Sequence, residues 1–407
     1  MKQRRIYLVG AGMGTLLSLT GQAKQAIEES EFLFGAARLL APYQELGRCA
    51  EPIYQAGKIA EYLDAHPDIR TAAVLLSGDI GFYSGAKQLA DAFKNEEVVG
   101  IPGISSVQYF FAKLQLPWES VHLMSLHGRE QNLLAALRRH PKIFLLTGTD
   151  HSVNVICGML CRYGYGQAKI VVGENLSYPE ERFLHGTAKE FARLETAPLS
   201  VMLIERAEDS EHPAVPGIDD REFIRGKVPM TKSEVRSVSI SKLRLCRNDV
   251  VYDIGAGTGS VSVEAALIAE QGQVYAVEYQ PEAVSLIRQN AEKFGCSNVH
   301  VVKGKAPEAL EPLPPPTRVF IGGSSGNLQG IFRCLTEKTG FFRLVLNAVT
   351  LETLQGAVTY LEQLGFSDTE IVQVAVTDLK TVGKYHMMDA KNPVFIVKSV
   401  WNKKEEM

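Results

Sequence analysis

Two stretches of this 407-residue chain break a β-branched run with closely spaced glycines: "IYLVGAGMG" from Ile6 and "VVYDIGAGTG" from Val250. A strand that ends this way turns sharply and lets backbone amides come close to a ligand. Two such devices, each opening its own half of the chain, call for two α/β units. Length argues the same way, because one hydrophobic core rarely keeps growing beyond about 250–300 residues.

Element patterning agrees. From residue 5 to about 205, short β-rich runs ("RIYLV", "AAVLLS", "EVVGI", "VHLMSL", "KIFLLT", "AKIVVGENL", "RFLHGT", "LSVMLIE") alternate with helix-like segments. A polar stretch with three prolines follows, "ERAEDSEHPAVPGIDDREFIRGKVPMTKSE", and reads as a connection. Alternation then restarts with seven strand-like runs, the last two, "TEIVQVAV" and "PVFIVKSV", joined by a loop. This predicts an α/β open, doubly wound sheet with an antiparallel edge pair. The expected domains are 1–207 and 233–407, with 208–232 as linker.

Composition narrows the function classes. Hydrophobic content of 45%, charged content of 22% and a net charge of −3 suit a soluble enzyme. Without a basic excess, no nucleic-acid partner is expected. No run approaches the roughly 18 apolar residues of a membrane span, and the first apolar run is too short for a signal peptide. Six scattered cysteines, without CxxC or zinc-finger spacing, suggest reduced thiols, a cytoplasmic setting and no metal site. No nucleophile–base set stands out, so no catalytic side chain is assigned.

In the second loop the glycines run G-x-G-x-G instead of G-x-G-x-x-G, which favours a ligand smaller than a dinucleotide. Asp253 ends the strand; Gly255, Ala256, Gly257, Thr258 and Gly259 form the loop; Glu278 ends the next strand, where an acid can accept both hydroxyls of a ribose. This half resembles the class I S-adenosylmethionine-dependent methyltransferases. The resemblance implies that the loop packs on the methionine portion, Glu278 holds the ribose, and "KGKAPEAL" borders the adenine. Many relatives carry Asp in that last loop where this chain has Lys305 and Ala306, which points to backbone contact from Ala306. The flanks "FIRGKVPMTKSEVRSVSISKL" and "RVFIGGSSGNL" further resemble the decarboxylating C-15 methyltransferases of cobalamin biosynthesis. In those relatives the threonine of Pro-Met-Thr-Lys, here Thr231, lies beside the cofactor.

The first loop, with Gly10, Gly12 and Gly14, has Thr15 where a dinucleotide fingerprint wants glycine, and no Gly-Lys-Ser/Thr follows. Downstream, "LLSGDIGFYSGAKQLA" sets Gly78 and Asp79 at a strand end with Tyr83 ahead of a helix. "VVGIPGISSVQYFFAKL" repeats the device with Ser105 and Ser106. With "FLLTGTD" and "RFLHGT", these resemble the tetrapyrrole methylase family over residues 5 to 205, a two-lobed α/β fold that holds S-adenosylmethionine between its lobes. The resemblance implies cofactor contacts at Gly78, Asp79, Tyr83, Ser105, Ser106, Thr147 and Gly186, with Gly10, Gly12 and Gly14 facing substrate.

Joined in this order, the halves resemble the family that methylates precorrin-6Y, or cobalt-precorrin-6B and 7, at C-5 and C-15 and removes carbon dioxide from the ring C acetate. That implies one S-adenosylmethionine per domain, a polycarboxylated tetrapyrrole substrate and a homo-oligomer. His127, Arg129, Lys227, Lys232 and Arg236 are the candidate cations for its carboxylates.

Overall fold

The computed structural model describes residues 3–128, 131–206 and 215–403, and the chain divides into two compact units. Arg129, a candidate substrate ligand, lies outside the described residues.

The first unit contains two five-stranded sheets. One is parallel, in the order β3 (Ala50–Glu51), β2 (Phe32–Gly35), β4 (Thr71–Leu76), β1 (Arg5–Gly10) and β5 (Glu97–Ile101). The near-continuous apolar runs of β1 and β4 are buried along almost their whole length, as strands covered on both faces must be. Their C-terminal ends lie side by side, Gly10 in register with Leu76, so both glycine-bearing loops leave the sheet at one edge. The other sheet runs β6 (His122–Ser125), β7 (Lys142–Leu146), β10 (Ser200–Glu205), β8 (Lys169–Glu174), β9 (Arg182–Thr187) and is mixed, with only the β6/β7 pair parallel.

The second unit is built on a seven-stranded sheet whose strands are β11 (Val250–Ile254), β12 (Gln273–Glu278), β13 (Val299–Lys303), β14 (Arg318–Ile321), β15 (Phe341–Ala348), β16 (Ser367–Val374) and β19 (Val394–Asn402). Their order is β13-β12-β11-β14-β15-β19-β16, with β19 antiparallel to both neighbours. The chain winds outward from β11 in both directions, so a crevice opens between the C-terminal ends of β11 and β14, where open α/β sheets bind ligands. Tyr252, Phe320, Phe332 and Phe342 fill the core beside it.

Two expectations are corrected. The expected loop between the last two core strands folds as a ribbon, β17 (Thr377–Val382) paired antiparallel with β18 (Tyr385–Ala390). Every residue of both strands is exposed, so no inward apolar alternation marked them as strands. The described part of the 208–232 linker, residues 215–232, packs into the second unit: Ile218 and Phe223 are buried in its core, and Val228 is buried against its helix Pro281–Lys293. The apolar residues of this stretch (Val215, Ile218, Phe223, Ile224, Val228 and Met230) are spaced irregularly among prolines and charges, so they carry no helix or strand period.

Candidate active sites

In the second unit a cavity of about 460 Å³ lies at the ends of β11, β12 and β14, within the range of roughly 300–1,000 Å³ of small-molecule sites. Of the expected residues, Thr231, Lys232, Gly255, Ala256, Gly257, Glu278 and Ala306 line it. Gly255 has φ +71°, and a Cβ there would stand 2.6 Å from the Gly323 carbonyl oxygen, so this turn admits only glycine. Segment 228–232 closes over the loop, the Pro229 carbonyl sitting where a Cβ on Gly257 would meet it at 2.9 Å.

Glu278 is buried beneath three amides. Its Oε2 accepts from Gly257 N (3.1 Å), and its Oε1 accepts from Tyr279 N (2.8 Å) and Gln280 N (3.0 Å). An ionised carboxylate offers about four lone-pair sites. The fourth, on Oε2, is left for a ligand, so one ribose hydroxyl can be accepted where two were expected without displacing an amide. Lys305 and Tyr279 also line the cavity, with the Lys305 ammonium 5.0 Å from the Tyr279 ring centroid.

Asp253, Thr258 and Gly259, expected to touch the cofactor, do not line the cavity. Asp253 is buried in β11: Oδ2 accepts from the Ser262 hydroxyl, and Oδ1 has no partner among the described residues. Burial pushes its pKa up to about 7, against the lowering by the Ser262 hydrogen bonds, and the Glu278 charge adds to the rise. Thr258 is buried, its hydroxyl without a partner among the described residues, and its carbonyl accepts from Asn290 Nδ2 (2.9 Å). Gly259, with φ +79°, is the N-cap of the helix Ser260–Ile268 and backs onto Ile287.

Among the expected substrate cations, Lys232 lines the cavity with its ammonium 3.5 Å from Asp220. Lys227 is exposed and does not. Arg236 is corrected outright. It is fully buried, bonded by Nε to Glu264 (2.6 Å) and by Nη1 to Asp220 (3.0 Å) and the Thr231 carbonyl (2.7 Å), with Nη2 on the Ile218 carbonyl. A guanidinium so enclosed ties segment 218–231 to the helix Ser260–Ile268 and offers nothing to a substrate. Sequence reasoning missed Lys391, Asn392 and Asn347 in the lining. Lys391 reaches it from the root of the ribbon, held by Asp378 (3.5 Å) and Asp389, and only the pairing of β17 with β18 brings these together.

The first unit has a cavity of about 440 Å³, lined from both sheets. Of the expected residues, Gly78, Tyr83, Ser106, Thr147 and His127 line it. Tyr83, in the left-handed region at φ +50°, donates from its hydroxyl to the Leu123 carbonyl (3.0 Å), and Thr147 donates to the Ser200 carbonyl (2.7 Å).

The other assignments there are corrected. Asp79 joins two loops, accepting from Gly81 N (2.8 Å) on Oδ1 and Gly103 N (3.0 Å) on Oδ2. Ser105 caps the helix Ser106–Leu114 in a reciprocal box with Gln108, which uses both its hydroxyl and its amide. Gly186 lies within β9 paired with Ile170 and packs on Glu190 and Phe191, away from the lining. Gly10 backs onto Gly103, while Gly12 exchanges backbone bonds with Gly78, 2.6 and 3.2 Å. Gly14 also stays outside the lining. These glycines hold loops against one another; the residue types that allow close approach to a ligand equally allow close approach of backbones.

The residues fit a nucleoside-bearing methyl donor best in the second unit. There a tight glycine turn, a carboxylate with one open lone pair and a cofactor-sized crevice coincide. Among the described residues no group of three His, Cys, Asp or Glu side chains could hold a metal, and no helix is long and apolar enough to cross a membrane.

Comparison with known proteins carries the rest. Residues 5–192 match the model of the tetrapyrrole (corrin/porphyrin) methylases, and residues 223–401 match the precorrin methyltransferase domain. A protein of a Sinorhizobium species described as precorrin-6Y C(5,15)-methyltransferase (decarboxylating) is 31% identical over 357 residues, 85% of each chain. The chain belongs to the precorrin methyltransferase family. A Pyrobaculum calidifontis protein described as "Probable cobalt-precorrin-6B C(15)-methyltransferase (decarboxylating)" is 50% identical over 187 residues, 45% of this chain and 95% of the relative. The crystal structure of a precorrin-6Y C5,15-methyltransferase from Geobacter metallireducens GS-15 is 44% identical, covering 47% of this chain and 100% of that one at a TM-score of 0.45. Both halves of this chain are thus methyltransferase domains, and the family draws its methyl group from S-adenosylmethionine.

Proposed function

We propose that this methyltransferase acts in cobalamin biosynthesis. Its first unit methylates C-5 of a precorrin macrocycle; its second methylates C-15 and decarboxylates the ring C acetate, which loses its carboxylate as carbon dioxide and stays on the ring as a methyl group. The observation that carries this reading is the pair of separate, cofactor-sized cavities, 440 and 460 Å³, each at the strand ends of its own unit. The Sinorhizobium relative, which matches over 85% of each chain and whose name states both positions, supports it.

When bound, S-adenosylmethionine supplies an electrophilic methyl on a sulfonium, and the enamine-like bridging carbons of a reduced tetrapyrrole supply the nucleophile. The protein then needs no general base for the attack; its part is to hold the two carbons in line at near-attack distance. In the second unit the loop Gly255–Gly257 and the free lone pair of Glu278 fix the donor. Lys232, Lys305 and Lys391 face the carboxylate arms of the macrocycle, and Thr231 and Asn347 border the space between. In the first unit Gly78, Ser106 and Thr147 hold the donor, and His127 stands at the exposed mouth.

The test is incubation of the full chain with methyl-labelled S-adenosylmethionine and cobalt-free or cobalt-bearing precorrin substrate. Mass spectrometry should find two added methyl groups and one lost carbon dioxide. Glu278→Ala should stop C-15 transfer and decarboxylation while C-5 transfer continues on C-15-methylated substrate. A single methyl from the wild type, or loss of both steps in the variant, would sink the two-site reading.

A further inference from the structure

Of the first glycine loop only Met13 lines the cavity; the three glycines stay outside it, yet the third has a neighbour that does line it. Gly14 has φ +111°, and a Cβ there would collide with the Tyr178 hydroxyl and stand 3.1 Å from Arg38 Nη1. The absence of a side chain at Gly14 makes room for this pair. Arg38 lines the 440 Å³ cavity, and its guanidinium is held entirely by neutral groups. Nη1 donates to the Met13 carbonyl (3.1 Å) and the Tyr178 hydroxyl (3.2 Å), and Nη2 donates to Ser77 Oγ (2.7 Å). Among the described residues no Asp or Glu lines the cavity, and none places a carboxylate in ion-pair range of Arg38.

A guanidinium has five N–H donors. Three are engaged, which leaves Nε–H and one Nη2–H, neighbouring donors that can grip a carboxylate in two parallel bonds. A half-buried cation without a counter-ion, in a mostly apolar cavity, gains far more from an arriving anion than a surface cation does. The geometry points to Arg38 as the carboxylate receptor of the first unit. Tyr178 and the Met13 carbonyl act as positioning groups that set the plane of its fork, and Gly14 admits them. The anion is either a carboxylate arm of the macrocycle or the amino-acid end of the methyl donor, which present the same chemistry.

This inference rests on the proposed C-5 activity. It is tested on the full chain by C-5 transfer to C-15-methylated substrate with wild type, Arg38→Gln, Arg38→Lys and Tyr178→Phe. Arg38→Gln should raise one Michaelis constant about tenfold to a hundredfold, the scale of a lost charge-assisted pair, with kcat within about twofold. A rise for the macrocycle assigns its side arms; a rise for S-adenosylmethionine assigns the donor. Arg38→Lys, which keeps the charge but loses the fork, should recover part of the loss. Tyr178→Phe should raise the same constant a few-fold and leave the other in place. Active wild type with both constants unmoved in Arg38→Gln overturns the receptor. Absence of C-5 transfer in the wild type overturns the activity instead. The receptor is then judged by calorimetric binding of S-adenosylhomocysteine and of a polycarboxylated tetrapyrrole to wild type and Arg38→Gln, and equal affinities for both ligands overturn it.

Discussion

Replacing Arg236 by methionine separates a buried clamp from a substrate ligand. In the structure the guanidinium is fully enclosed, and so is its partner Glu264. Removing one member of such a pair costs about 3–5 kcal/mol, because the other charge is left buried without compensation. Glu264 keeps the amides of Gly217 and Ile218 at 3.2 Å, which argues for the lower part of that range. The Arg236 guanidinium also lies 4.8 Å from the Phe223 ring centroid, and losing that contact adds about 1 kcal/mol. For a unit of this size each kcal/mol moves Tm by about 2–4 °C, so a loss of about 4–5 kcal/mol should show in calorimetry of the full chain as a transition of the second unit lowered by about 8–20 °C. The double variant Arg236→Met, Glu264→Leu should recover part of this, since the unpaired charge has gone; the Gly217 and Ile218 amides that lose their acceptor set the remainder. In whatever fraction stays folded, the affinity for the macrocycle should change little. An unshifted transition combined with a tenfold weaker macrocycle affinity would refute the clamp and restore Arg236 as a substrate residue.

Three further outcomes follow from the geometry. Gly255→Ala, with its Cβ 2.6 Å from the Gly323 carbonyl at φ +71°, should reduce the calorimetric stoichiometry of S-adenosylhomocysteine from two sites to one; a retained second site would contradict the tight-turn argument. Ser105→Ala should cost about 1 kcal/mol of stability by chemical denaturation, as lost N-caps do, while the Michaelis constant for the donor at C-5 stays within about twofold; a large rise would return Ser105 to the cofactor site. Asp253 has its folded pKa raised from 3.8 to about 7 by burial, so between these values the native state binds more protons than the unfolded one. Stability should therefore fall as pH rises from about 4 to 7 and level off above, and Asp253→Asn should flatten that slope; an unchanged slope would rule out Asp253 as its source.

Much of the fold was legible because its signals are local. β-branched runs, proline and glycine punctuation and amphipathic periods located all seven strands of the second unit's main sheet and most strands of the first. The exposed ribbon at 377–390 and the two-residue β3 escaped because neither buries an apolar face that would imprint a period. The binding loops were legible for the same reason: Gly255, Gly257 and Glu278 sit at strand ends that the sequence marks, and the structure puts all three on one cavity.

What the sequence alone determined is which backbone segments turn sharply at strand ends, and hence that each half carries a crevice fit for a small ligand. What only the tertiary structure decided is which polar groups face that crevice. Asp253, Ser105 and Arg236 have the residue types of ligands, but packing turned each toward the protein. Lys391 and Arg38 carried no motif, yet they were placed in the lining by pairings with residues distant in the chain or across a turn. A side chain's residue type is local information. The direction it faces is set by what else must be buried or hydrogen-bonded around it, and that depends on contacts between residues far apart in sequence.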